Sequence, residues 1–260
     1  MLFESRKKRR ERLKRQHLPP EWLAIVKRNV PYYSLLPKDA QNELQGLMLI
    51  FLEEKEFEGC EGLKITDEIR LTVAAQACIL LLGRETDIYP TLRSILVYPG
   101  GYVAPIRHRQ PDGTVVEGIE PRLGESWSHG NVVLSWDDVL RGASDIHDGH
   151  NLVFHEFAHQ LDNESGAAEG VPELQRRSMY IAWARVLGRE YEALIASIER
   201  NRPTLLNQYG ATNPAEFFAV ATECFFERPA ELKRLHPELY ETLQSFFQQD
   251  PASFIKRHES

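Results

Sequence analysis

The chain has 260 residues, with 31 Lys and Arg against 38 Asp and Glu, for a formal net charge of −7. At 42% hydrophobic and 27% charged residues it is globular rather than disordered or fibrous, and long enough for one large domain or two small ones. No apolar run reaches the roughly 18–20 residues that span a bilayer, and the best candidate, Leu71–Gly83, is interrupted by Gln76.

The charge is unevenly placed. Residues 1–28 carry ten basic side chains and three acids, so this head is +7 and the remaining body −14. Eight of the ten residues Arg6–Arg15 are basic, and none is an aromatic that would stack on a base. The acidic body argues against a nucleic-acid partner. Residues 1–18 therefore read as a flexible, solvated arm that Pro19-Pro20 ends. Only Leu23–Val26 is apolar before Lys27 and Arg28, too short for the core of a signal peptide. Three cysteines without Cys-x-x-Cys spacing are expected to be reduced thiols of a cytoplasmic protein, with Cys78 a small core residue.

Pro37 to about Phe57 has the three- and four-residue apolar spacing of a helix, at Leu44, Leu47, Met48 and Phe51. Thr66-Asp67-Glu68 opens a second helix, buried on most sides, to Leu82. Ser94–Tyr98 reads as a strand closed by Pro99-Gly100-Gly101, Thr114–Gly118 as a second after Pro111-Asp112-Gly113, and Asn131–Trp136 as a third. These three strands are expected to form one small sheet, with no other. From His150 the pattern is helical: Leu152–Leu161, Pro172–Arg200, Pro214–Phe226 and one or two helices over Glu231–Phe247. The expected class is α+β, predominantly helical, with strands confined to the middle of the chain.

The chemical signal is His155-Glu156-Phe157-Ala158-His159. Histidines four apart on a helix differ by about 40° in direction, so both imidazoles leave one face and can hold one Zn²⁺. Glu156 is one step round the helix, placed to reach a metal-activated water without being a ligand. A catalytic zinc takes three protein ligands. The metzincin continuation fails, because Asp162 and Ser165 stand where Gly and His are needed.

The third ligand is sought downstream. Asn213 resembles an N-cap and Pro214 a first helical residue, and Glu216 and Glu223, seven apart, share a face. Glu216 also fits a capping box with Asn213, and Glu223 also fits an acceptor behind a ligand imidazole, so spacing leaves both open. Asp162 reads equally as a carboxylate orienting an imidazole or as a surface acid. His129, His147 and His150 read as exposed loop histidines. Asn131–Trp136 reads as an edge for an extended peptide or as an internal strand.

HEFAHQLD, Tyr209 and NPAEFFAVATECFF, with LVYPGGYV, GESWSHGNVVLSWDDV and QQDP, resemble the gluzincin arrangement of the Mlc titration factor A (MtfA) peptidases from about Leu18 to about Asp250. A more distant likeness is to the catalytic domain of anthrax lethal factor. The resemblance implies a zincin-like domain over residues 19–255 and one Zn²⁺ per chain on His155, His159 and Glu216. It also implies Glu156 as general base and Tyr209, seven residues before Glu216, as a catalytic residue. It implies peptide hydrolysis, possibly of aminopeptidase type, and binding of an Mlc-type repressor of glucose uptake. The competing expectation is a regulatory binding module with structural zinc and vestigial activity.

Overall fold

The computed structural model describes residues 5–258 apart from 86, 110–114, 123, 128–129, 165, 167–168 and 175; over residues 102–129 and beyond 254 it describes the backbone alone. Several helices begin where the sequence supplies an acceptor for their free first amides. Thr66 caps α5 (Asp67–Ile79), which follows α1 (Arg6–Lys14), α2 (Pro20–Asn29), α3 (Tyr32–Leu35) and α4 (Lys38–Glu54). Ser135 caps α6 (Trp136–Ser144), Asn151 caps α7 (Leu152–Asn163) and Asn213 caps α9 (Pro214–Glu227). Between the last two lies α8 (Arg177–Glu199), which starts five residues after Pro172. Pro229 and Pro237 split the C-terminal stretch into α10 (Pro229–Leu235) and α11 (Pro237–Phe247), before α12 (Pro251–His258).

The class is α+β and predominantly helical, but the sheets differ from expectation. The main sheet has four strands in the order β1-β2-β6-β5: Glu56–Gly59, Ser94–Tyr98, Asn131–Ser135 and Gly124–Trp127. The first three are parallel and β5 is antiparallel to β6, pairing Gly124 with Leu134 and Trp127 with Asn131. Strand β6 is thus internal, with Val132, Val133 and Leu134 all buried, and the edge beside it is β5. The segment expected at Thr114–Gly118 belongs, from Val115, to β4 (Val115–Arg122). It pairs with β3 (Tyr102–Arg109) in a separate two-stranded sheet. Thr114 and the turn Pro111-Asp112-Gly113 lie outside the described residues. The helix expected to reach Phe57 stops at Glu54, and the buried Lys55 Nζ donates to the carbonyls of Tyr89 (2.6 Å) and Leu92 (2.9 Å) instead.

Aromatic side chains form the core behind α7. Phe157 meets Tyr89 at 4.8 Å and Phe51 at 5.8 Å between ring centroids, and Phe154 meets Phe226 at 5.2 Å. Cys78 and Cys224 are buried, and the cysteines are free thiols. Among the described residues no helix is long and apolar enough to cross a membrane.

Residues 1–18 are expected to be a flexible arm; instead, α1 lies along α4. Leu13 is buried, and Gly46 makes the approach possible, since a Cβ there would sit 2.7 Å from the Lys14 carbonyl oxygen. Arg10 bonds Glu54 at 2.6 Å and also pairs with Asp87, Arg6 bonds Glu54 at 2.9 Å, and Arg9 pairs with Glu53. Burial tends to raise the Glu54 carboxyl, but the bonds from Arg10 and Arg6 prevail and hold it at about 2. That lies below its ordinary 4.5, so this contribution is present at neutral pH and fades as pH falls from about 4.5 towards about 2. Glu54→Gln at pH 7 is expected to weaken the docking by about 1–2 kcal/mol. Tryptic cleavage after Lys14 or Arg15 should then accelerate; equal rates in the two proteins would mean that the ion pairs do not hold α1.

Candidate metal centre

Helix α7 buries Val153, Phe154, Phe157, Ala158 and Leu161, each at most 1% exposed, and turns His155 and His159 to the opposite face. The imidazoles lie side by side, with ring centroids 5.0 Å and Nε2 atoms 3.3 Å apart. Helix α9 packs against α7 and brings Glu216 to the same point. The side chain of Asn213 accepts the Glu216 N–H at 3.0 Å, closing the cap and leaving the Glu216 carboxylate turned towards the histidines. Its Oε2 is 3.0 Å from His155 Nε2 and 3.3 Å from His159 Nε2. One ligand atom from each of the three residues lies within 4.8 Å of the others.

These separations fit a metal. Zinc bonds of about 2.0–2.1 Å in a tetrahedron put neighbouring donors about 3.3–3.4 Å apart. The hydrogen bonding points the same way. His155 Nδ1 is 2.8 Å from Glu223 Oε1, so the neutral ring carries its proton there and presents a lone pair at Nε2. That lone pair faces a carboxylate oxygen and another imidazole nitrogen, an arrangement of acceptors that a cation satisfies. Burial opposes charge on His155, yet bonds with Glu216 and Glu223 outweigh it and push the imidazole well above its ordinary value. Glu216 is likewise held at about 2 against burial by the two histidines.

Around the three donors stand the other acids named from sequence. Glu223 is not in the cluster; it lies behind His155, its second oxygen accepting the Asn151 N–H at 2.7 Å. Glu156 is 5% exposed, and its Oε2 is buried with no hydrogen-bond partner among the described residues. Burial pushes its carboxyl up, with His155 and His159 opposing. Asp162 is buried at the far end of α7 and accepts the Gly170 N–H at 2.8 Å. Tyr209, on the 3-10 turn Gln208–Ala211, is 55% exposed, with its ring 6.0 Å from that of His155. His147 and His150 are exposed in the loop before α7 and outside the cluster, and His129 lies outside the described residues.

Two contributors escaped the sequence analysis. Asn151 has a readable cap signal in the apolar run that follows it, but its other bonds join distant helices. Glu227, 1% exposed, is one of those partners.

Comparison with known proteins agrees with this site. The glucose-regulated metallopeptidase M90 family profile matches residues 4–248. An uncharacterized protein of Synechocystis sp. is 43% identical over 246 residues, 94% of this chain and 89% of its own. Mlc titration factor A of Pectobacterium atrosepticum is 31% identical over 238 residues, 90% of this chain and 88% of its own. The protein of the same name from Serratia proteamaculans is 31% identical over 231 residues, 88% and 87% of the two chains. With nearly its whole length matched and three candidate metal donors converging on one point, the chain belongs to the M90 family of metallopeptidases.

Proposed function

We propose that the chain is a zinc peptidase of gluzincin type, a zincin-like domain over residues 19–255 hydrolysing peptide bonds. One observation carries this reading: three donor atoms meet at one point beside a buried carboxylate oxygen, Glu156 Oε2, that lacks a partner. His155, His159 and Glu216 would hold one Zn²⁺, and Glu223 would fix the His155 ring. A metal held there would supply Lewis acidity towards the scissile carbonyl and the attacking water. Glu156 Oε2 takes the proton of the attacking water and passes it to the leaving amine nitrogen. Burial raises the Glu156 carboxyl, which suits a group that must hold a proton and then release it. The Tyr209 hydroxyl donates to the oxygen on which charge develops. Asp162 holds the loop at Gly170 in place. Strand β5, at the sheet edge and packed against α7, supplies main-chain pairing for an extended substrate.

A second role is favoured by the relatives named Mlc titration factor A. We infer that this chain also binds an Mlc-type transcriptional repressor, a function that needs the folded surface and not turnover. Small aminoacyl substrates and internally cleaved peptides, assayed side by side, distinguish aminopeptidase from endopeptidase action.

Glu156→Gln should keep about one zinc per chain and lose about 10²–10⁴ in kcat; full activity on a peptide substrate removes Glu156 as base. Glu216→Ala should lose the metal on dialysis, and retention of one zinc per chain would exclude it as a ligand. Tyr209→Phe should lower kcat by about 10²-fold with zinc content unchanged; an unchanged kcat discards its role.

A further inference from the structure

We propose that Asn151, held by Gln76 and Glu227, is a positioning residue of the metal centre that fixes the Glu223 carboxylate and, through it, the ring of His155. The inference rests on the metal reading above and adds residues that meet neither metal nor substrate.

Asn151 is 2% exposed and engages three of its groups. Its Oδ1 accepts the Phe154 N–H at 3.0 Å, which caps α7. Its backbone N–H donates to Glu223 Oε2 at 2.7 Å. The two hydrogens of Nδ2 are shared among Gln76 Oε1 on α5 (2.9 Å), the Gly142 carbonyl on α6 (3.1 Å) and Glu227 Oε1 on α9 (3.0 Å). Four helices thus meet at one amide.

A cap needs only the first bond, and Ser, Thr or Asp supplies it about as well. The amide nitrogen is what Asn adds, and all of its acceptors lie away from α7. Glu227 is suited to be an acceptor. Burial pushes its carboxyl up to about 9, so at neutral pH it is an uncharged hydrogen-bonding group rather than a counter-charge. Its Oε2 accepts the Gly149 N–H at 3.1 Å, holding the chain two residues before Asn151 as well. If the Nδ2 bonds are lost, the Asn151 backbone is free to shift, Glu223 loses its fixed donor, and His155 Nδ1 loses its fixed acceptor. Groups that orient a metal-bound histidine are worth about 10–100-fold in metal affinity.

The test uses the full chain and zinc alone, with affinity read by competition against a chromophoric chelator and folding of the metal-free protein by circular dichroism. Asn151→Ser keeps the cap oxygen and removes the amide; it should raise the zinc Kd by about 10–100-fold while the metal-free protein stays folded. Glu227→Met should do the same, and Glu227→Gln, which keeps an acceptor for Asn151 and gives up only the Gly149 bond, should bind zinc more tightly than Glu227→Met. If Glu227→Met fails to fold, Asn151→Ser and Gln76→Leu decide the question. Parental affinity in folded Asn151→Ser would reduce Asn151 to a helix cap and overturn the proposal, as would a Glu227→Gln protein as weak as Glu227→Met. A parent chain that itself binds no zinc would instead refute the metal reading.

Discussion

The pairing of α7 with α9 is the constraint on which the site depends. The two helices run antiparallel, and each presents an apolar face to the core and one or more candidate metal donors to the other. Apolar packing alone lets such a pair slide and rotate at little cost, whereas three donors 3.0–3.3 Å apart tolerate only tenths of an ångström. Directional bonds at both ends of the pair remove that freedom. At one end Asn151, Glu223 and Glu227 tie the start of α7 to the last turns of α9. At the other, Asp162 at the end of α7 holds the Gly170 amide. Gly170, at φ +77°, lies so close to Pro214 that a Cβ would come 2.3 Å from the Pro214 carbonyl oxygen, and Trp183 on α8 donates to the Gly170 carbonyl at 2.9 Å.

Burying so many acids for this purpose is costly, and the structure divides them by how the cost is met. Glu223 is satisfied by a backbone amide and an imidazole, and Glu227 is kept uncharged. Glu156 Oε2, beside the three candidate donors, is buried without a hydrogen-bond partner among the described residues. A buried polar atom left unpaired costs about 1–3 kcal/mol, a cost that the proposed proton transfer at Glu156 would account for. The same contrast separates Glu156 from Glu216, its near neighbour in the site, whose Oε2 lies 3.0 and 3.3 Å from the two histidine Nε2 atoms and whose carboxyl those histidines hold low against burial.

What could be read in the chain follows from how local each signal is. The histidines, the caps at Thr66 and Asn213 and the apolar periodicity of α4 and α5 are fixed by residues within one or two turns, and they stand where expected. Spacing leaves both Glu216 and Glu223 open as the third ligand, because both lie on one face of α9. Only the packing angle against α7 decides which carboxylate reaches the Nε2 side of His155 and which the Nδ1 side. Strand β1 has one apolar side chain, Phe57, between two glutamates, so it carries no strand pattern and forms because β2 offers an edge. Asn151 caps α7, but the acceptors of its amide from α5 and α9 are 75 and 76 residues away.

The basic head is the plainest case of a non-local effect. Its charge suggests a solvated arm while its partners are unknown, since Glu53, Glu54 and Asp87 lie tens of residues downstream. Once those acids are placed along α4 and the loop before β2, Arg6, Arg9 and Arg10 become their counter-ions and Leu13 enters the core. The family match beginning at residue 4 agrees with a helix that belongs to the fold rather than an appendage. Docking uses only one face of α1. Lys7, Lys8, Lys14 and Arg15 remain exposed, so part of the charge stays in solvent as the sequence suggests. The acidic excess of the body is thereby divided in two. Some of it neutralises this helix, and some is drawn inward to Glu216, Glu223, Glu227 and Glu156, where burial and hydrogen bonding, rather than net charge, decide what each carboxyl does.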